Sequence, residues 1–210
     1  MEKDEKIFSY TNRKGDVYYF RKTDTGRGGE QIVASKKCPD NALTAIPRGM
    51  EIAETPNGKV SCRKKQKNNI LSTEIRTVKA WIPRLAKQAF VEIEIKPDAI
   101  VAYSAPVPHL PFGEFGIFTD AIFSKLPKDK RKIIRKEWAA RQHAKLVKVI
   151  HYEPAVKFEL HDPESRTFAL YRMCHLDDRP DWMFLSMGEL KELAAKIMPH
   201  LEQESFFDLM

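Results

Sequence analysis

Four short breaks in this sequence each separate two apolar runs, and together they restrict the chain to a fold built on hairpins. Ile7–Tyr10 and Val17–Phe20 flank Asn12, Lys14 and Gly15; Met50–Glu54 and Val60–Arg63 flank Pro56-Asn57-Gly58. Val91–Ile95 and Ile100–Tyr103 flank Lys96-Pro97-Asp98; Ala155–Leu160 and Thr167–Met173 flank Asp162-Pro163-Glu164-Ser165. Strands joined by so few residues can pair only antiparallel, because a parallel pair needs a long crossover. Val91-Glu92-Ile93-Glu94-Ile95 alternates apolar and polar residues, the period of a half-buried strand. Asn57-Gly58 predicts a type I′ turn, which needs positive φ at both central residues. Gln31–Ser35 and Asp181–Leu185 are further expected strands.

Helices are fewer. Ile75, Val78 and Ile82 fall at helical spacing within Ser72–Ile82, with Pro83 as a stop or kink, although Thr77 and Val78 also suit a strand. Asn41–Ala45 has room for one short helix between Pro39 and Pro47. Ser186-Met187-Gly188-Glu189 matches a capping box, and Leu190, Leu193, Ala194, Ile197 and Met198 follow as an amphipathic stripe ended by Pro199. The expected class is α+β: antiparallel hairpins packed with a few helices, in two small subdomains. Residues 1–104 form the β-rich part. Residues 105–118 hold Pro106, Pro108, Pro111, Gly113 and Gly116, which exclude regular structure and mark a connector. Residues 119–210 supply a helix, a hairpin and the C-terminal amphipathic helix. The connector also carries Leu110, Phe112 and Phe115, more apolar surface than a free linker exposes. It is a candidate docking segment for a protein partner, or for a groove of its own chain.

Charge is the strongest pointer to function. Lys125–Lys148 holds ten basic residues and two acidic ones, Asp129 and Glu137, a net of +8 in a chain of net +7. A helix from Pro127 to Val149 would span roughly 34 Å. Stepping about 100° per residue puts Lys128, Arg131, Lys132, Arg135 and Lys136 on one arc. Lys130, Arg141, Lys145 and Lys148 lie on the opposite flank. Trp138 sits between the arcs, with Arg135 and Arg141 as its i−3 and i+3 neighbours. Basic side chains neutralise phosphates, and an aromatic ring accepts a base without sequence preference. Lys128, Lys130, Arg131 and Lys132 also stand where the helix dipole favours acids, a placement that stability does not explain. The leading expectation is a non-catalytic protein that binds DNA or RNA electrostatically through this helix. A solvated charged face, with Trp138 packed beside Ile134, is the plainer reading; an acidic protein or a membrane surface is another partner for the same charge.

The remaining chemistry is sparse. Cys38, Cys62 and Cys174 are far apart and form no Cys-x-x-Cys, which fits a reducing cytoplasm and predicts no metal. Zinc held by Cys174, His161 and His151 is conceivable only across a hairpin. Asp177, Asp178 and Asp181 read as a charged loop before a strand, or as an acid/base site. Glu92 and Glu94 should lie side by side on solvent. Gly26-Arg27-Gly28-Gly29 lacks the Lys-Ser/Thr ending of a phosphate loop and reads as a hairpin loop. No nucleophile–histidine–acid trio assembles, so an enzyme is not the expectation, and no cofactor is implied. MEKDEKIFSY has no apolar core of signal-peptide length, and no run approaches the ~18 apolar residues of a membrane span.

Two stretches, Tyr10-Thr-Asn-Arg-Lys-Gly-Asp-Val-Tyr-Tyr-Phe20 and Ile46-Pro-Arg-Gly-Met-Glu-Ile-Ala-Glu-Thr-Pro-Asn-Gly-Lys-Val60, resemble the opening of a family of small soluble bacterial proteins of uncharacterised function. Phe158–Met210, with Asp181-Trp182 and Ser205-Phe206-Phe207, is similar to that family's close. The resemblance covers about half the chain and implies a bacterial cytoplasmic protein. It brings no activity, cofactor or functional residue.

Overall fold

Every one of the four turn signals closes an antiparallel pair in the computed structural model, which describes residues 7–26, 29–86, 89–106, 127, 130, 137, 146, 148–176 and 179–208. Strands β1 (Ser9–Thr11), β2 (Val17–Asp24) and β3 (Glu30–Ser35) make a three-stranded meander. β4 (Met50–Glu54) and β5 (Val60–Lys64) pair as a separate ribbon. β6 (Ala89–Lys96), β7 (Ala99–Pro106), β8 (Glu153–Asp162), β9 (Thr167–Leu176) and β10 (Arg179–Glu189) form a five-stranded sheet in the order β10-β9-β8-β7-β6. Helices α1 (Ser72–Lys79), α2 (Ile82–Leu85), α3 (Leu190–Ile197) and α4 (Ser205–Asp208) complete an α+β fold. Among the described residues, no helix is long and apolar enough to cross a membrane.

The chain divides into two compact units, Met1–Pro106 with His151–Met210, and Val107–Ile150. The larger sheet takes two strands from before Val107 and three from after Ile150. Its register is Ile95↔Ile100, Ile100↔Phe158 and Phe158↔Leu170. These residues share one face, and that face is the core. Phe158, Leu170 and Phe168 are fully buried with Leu193, Ala194 and Ile197 of α3 and Val78 of α1. Each buried phenylalanine contributes roughly 1.5–3 kcal/mol. The apolar stripe expected on α3 is the one that packs here.

Several local expectations give way to pairing. Asn41–Ala45 forms no helix. Leu43 donates its N–H to the Phe20 carbonyl at 2.7 Å and accepts from Phe8 at 2.9 Å, which ties the segment to the meander. The helical run breaks before Pro83: α1 ends at Lys79, and Pro83 sits in the first turn of α2, where its missing N–H costs no helical bond. The Pro56-Asn57-Gly58 turn has positive φ at Gly58 alone, +77°. Gly58 N–H reaches the Thr55 carbonyl at 2.8 Å and Thr55 pairs with Lys59, so the loop has three residues with a bulge, not a type I′ turn.

The capping box at Ser186–Glu189 does not form. β10 runs through it, pairing Gly188 with Phe168 and Glu189 with Thr167. Continuing the ladder satisfies these backbone groups, and α3 starts at Leu190 without a side-chain cap. Ser186 Oγ is left buried with no hydrogen-bond partner among the described residues. A reciprocal carboxylate appears instead at α1, where Glu74 Oε2 accepts the Leu71 N–H at 2.7 Å.

Candidate nucleic-acid interface

Of the residues expected to contact phosphate, Lys130 and Lys148 are described; both are helical and exposed. Lys130 N–H meets the Pro127 carbonyl at 3.1 Å, the first turn that a leading proline permits. Ile150 N–H reaches the Leu146 carbonyl at 2.9 Å, an i−4 bond at the other end. Glu137 between them is also helical and exposed. Lys128, Arg131, Lys132, Arg135, Lys136, Trp138, Arg141 and Lys145 lie outside the described residues, as do Leu110, Phe112 and Phe115 of the Pro/Phe-rich segment.

The five-stranded sheet has a second face, turned away from its helices. The register Lys157↔Tyr171 and Tyr171↔Phe184 sets three side chains in one cross-strand row. Lys157 Nζ stands 4.1 Å from the Tyr171 ring centre and 5.5 Å from that of Trp182. Tyr171 and Phe184 meet edge to face at 5.8 Å, a favoured aromatic geometry. Lys157 also pairs with Glu159 at 2.6 Å, which neutralises its charge locally. Phe184 is 52% exposed and Met187 45%, both on the edge strand β10. The alternation of Trp182 and Phe184 was visible, but the row with Tyr171 and Lys157 needs the strand register.

Elsewhere the titratable groups are occupied structurally. Glu92 and Glu94 do share a face, but they are half-buried and partnered, not side by side on open solvent. Arg13 Nη1 is 3.1 Å from Glu92, and the Tyr103 hydroxyl donates to Glu94 at 2.7 Å. Burial, then that bond, raises the Tyr103 pKa well above the ordinary phenol value. Asp181 accepts its neighbour Trp182's N–H at 2.7 Å, while Asp177 and Asp178 lie outside the described residues. β2 and β3 pair antiparallel, and Thr25 and Gly29 meet at their ends through Thr25 N–H to Gly29 O and Gly29 N–H to Thr25 Oγ1; Arg27 and Gly28 of the glycine-rich segment lie outside the described residues. Among the described residues, no three His, Cys, Asp or Glu side chains group to hold a metal.

A cavity of about 370 Å³ lies beside α4, with Ser104, Glu153, Glu202, Leu201 and Phe206 in its wall. Ser104 Oγ donates to Glu202 at 2.6 Å, and Glu202 sits at φ +60°. Buried Arg172 donates from Nη1 to the Phe206 carbonyl at 2.6 Å and lies within 6 Å of the Phe206 and Phe207 rings. These contacts fasten the C-terminal turn to the sheet. His200 Nδ1 and Ser205 Oγ are 2.8 Å apart, across the short connection into α4. No carboxylate among the described residues completes this pair as a triad.

Comparison with protein-family models, with curated proteins and with solved structures finds no match for this chain.

Proposed function

We propose that this chain is a non-catalytic binding protein that holds nucleic acid through the charge of Lys125–Lys148. The observation that carries the reading is the concentration of charge. Residues 107–150 hold ten basic and four acidic side chains, a net of +6 out of the chain's +7, which leaves +1 for all the rest. A field this localised attracts a polyanion and draws it in at long range. Exposure of Lys130 and Lys148 supports access to solvent at both ends of the segment.

The test is salt dependence. If Lys128, Arg131, Lys132, Arg135 and Lys136 each neutralise a phosphate, log K against log salt has a slope near −4.5 on duplex, about 0.9 per contact. Replacing Lys132, Arg135 and Lys136 with Ala reduces that slope by roughly 2.7 and weakens all sequences alike. Labelled duplex titrated at low and high salt reads both quantities. No binding at low salt refutes the proposal.

A further inference from the structure

We infer that the cavity beside α4 is a binding site for a small aliphatic polycation, a chain of ammonium groups joined by methylene spacers. Every wall residue of that cavity belongs to one compact unit, Met1–Pro106 with His151–Met210, so the charge of Lys125–Lys148 plays no part in it.

At about 370 Å³ the cavity has the size of a small-molecule site, for which roughly 300–1,000 Å³ is usual. Its wall is of two kinds. Met173, Leu201, Phe206 and Phe207 supply apolar surface, and Glu153, Glu202 and Glu204 supply charge. Leu201 and Phe206 are buried, while Phe207 is 65% exposed, so the wall reaches open water. Phe206 and Phe207 meet edge to face at 5.4 Å. Among the described residues, no lysine, arginine or histidine lines the cavity. Buried Arg172 approaches both rings and bonds the Phe206 carbonyl, but it is not in the wall.

Charge selects the occupant. The chain has 36 Lys and Arg against 29 Asp and Glu, and Glu54, Glu74 and Glu92 each have an arginine beside them. Glu153, Glu202 and Glu204 have no ion pair among the described residues. The Ser104 hydroxyl, in a residue 4% exposed, donates to Glu202 at 2.6 Å and holds that carboxylate in the wall. A neutral apolar ligand would take water from these carboxylates and return no partner. A metal ion needs ligands that converge on one point, and among the described residues no such group exists. Charges set apart around an apolar wall match a ligand whose own charges are set apart by hydrocarbon. Its methylenes lie along the apolar surface while its ammonium heads stay hydrated beside the carboxylates. An ammonium within about 6 Å of the exposed Phe207 ring also gains a cation–π contact.

The experiment is isothermal titration calorimetry of the full chain with spermidine, and with magnesium chloride at matched ionic strength as the control. Spermidine binds one to one and magnesium gives no saturable heat. A chain of net +7 repels polycations in general, so one-to-one binding marks a local site. Glu202→Gln combined with Glu204→Gln keeps size and oxygen acceptors, and raises Kd about tenfold. Phe207→Ala truncates an exposed ring and raises Kd about threefold. If the double variant does not fold, Glu153→Gln, at the exposed start of β8, carries the same test. No saturable binding of spermidine refutes the inference, as does binding that these variants leave unchanged. Saturation by magnesium with the same loss in the charge variants overturns it too, because the carboxylates would then hold a single ion.

Discussion

Glu74 and Arg166, 92 residues apart, form an ion pair held by several hydrogen bonds, and its removal has a calculable cost. Arg166 sits in the β8–β9 turn at φ +56°. Its Nε reaches Glu74 Oε1 at 2.9 Å, its Nη2 reaches Oε2 at 2.6 Å, and Nη2 also meets the Asn69 carbonyl at 3.2 Å. The side chains are 11% exposed for Glu74 and 30% for Arg166, so the pair is neither fully wet nor fully desolvated. A surface pair contributes about 0–1 kcal/mol, and hydrogen bonds to charged groups about 1.5–3. Discounted for partial exposure, about 1.5 kcal/mol is the expected coupling. Glu74→Ala also strips the acceptor from the Leu71 N–H, about 1 kcal/mol more by analogy with lost caps. That variant should cost about 2.5 kcal/mol in all. Arg166→Ala loses the pair and the weaker bond to Asn69, about 2 kcal/mol. The double variant should cost about 3, leaving the 1.5 kcal/mol of coupling as the shortfall from additivity. Urea unfolding followed by far-ultraviolet circular dichroism measures each value, and added salt should shrink the coupling. Costs that add to within about 0.5 kcal/mol would show that the pair does not tie the turn to α1.

Gly58→Ala should destabilise by about 1–3 kcal/mol, because φ is +77° and an added Cβ would stand 2.9 Å from Asn12 Nδ2. Asn12 is buried and its Nδ2 donates to the Gly58 carbonyl at 2.7 Å, so it has little freedom to yield; an unchanged melting temperature would contradict this. Tyr103, Tyr152 and Tyr10 all have raised pKa values, the first two chiefly through burial and Tyr10 chiefly through its bond to Glu54. As pH rises past the ordinary phenol value of 10.0, the unfolded chain loses these protons first. The stability tied to the neutral phenols is therefore whole below that pH and declines above it. Tyr103→Phe should flatten the decline in urea midpoint between neutral and alkaline buffer; identical slopes for variant and parent would refute the assignment.

Sequence alone determined the elements whose causes are local. The alternation Val91–Ile95 makes β6 whatever surrounds it, and Leu190, Leu193, Ala194 and Ile197 make one face of α3, because period 2 and period 3.6 are properties of the backbone. The turns Lys96-Pro97-Asp98 and Asp162–Ser165 join their strands because few other conformations suit those residues. The concentration of charge at Lys125–Lys148 is likewise a property of the chain. Ser186–Glu189 shows where local reasoning fails: a good cap competes with ladder bonds to Phe168 and Thr167, and those partners are known only once β9 is in place. The same holds for Asn57, whose amide exchanges two bonds with the backbone of Tyr152, 95 residues away. Tertiary structure alone decided the row Lys157, Tyr171 and Phe184. Each strand could be read separately, but a shift of one residue in register would send the ring of Phe184 to the opposite face. That register is set by Phe158 and Leu170 packing under α3 on the other side of the sheet.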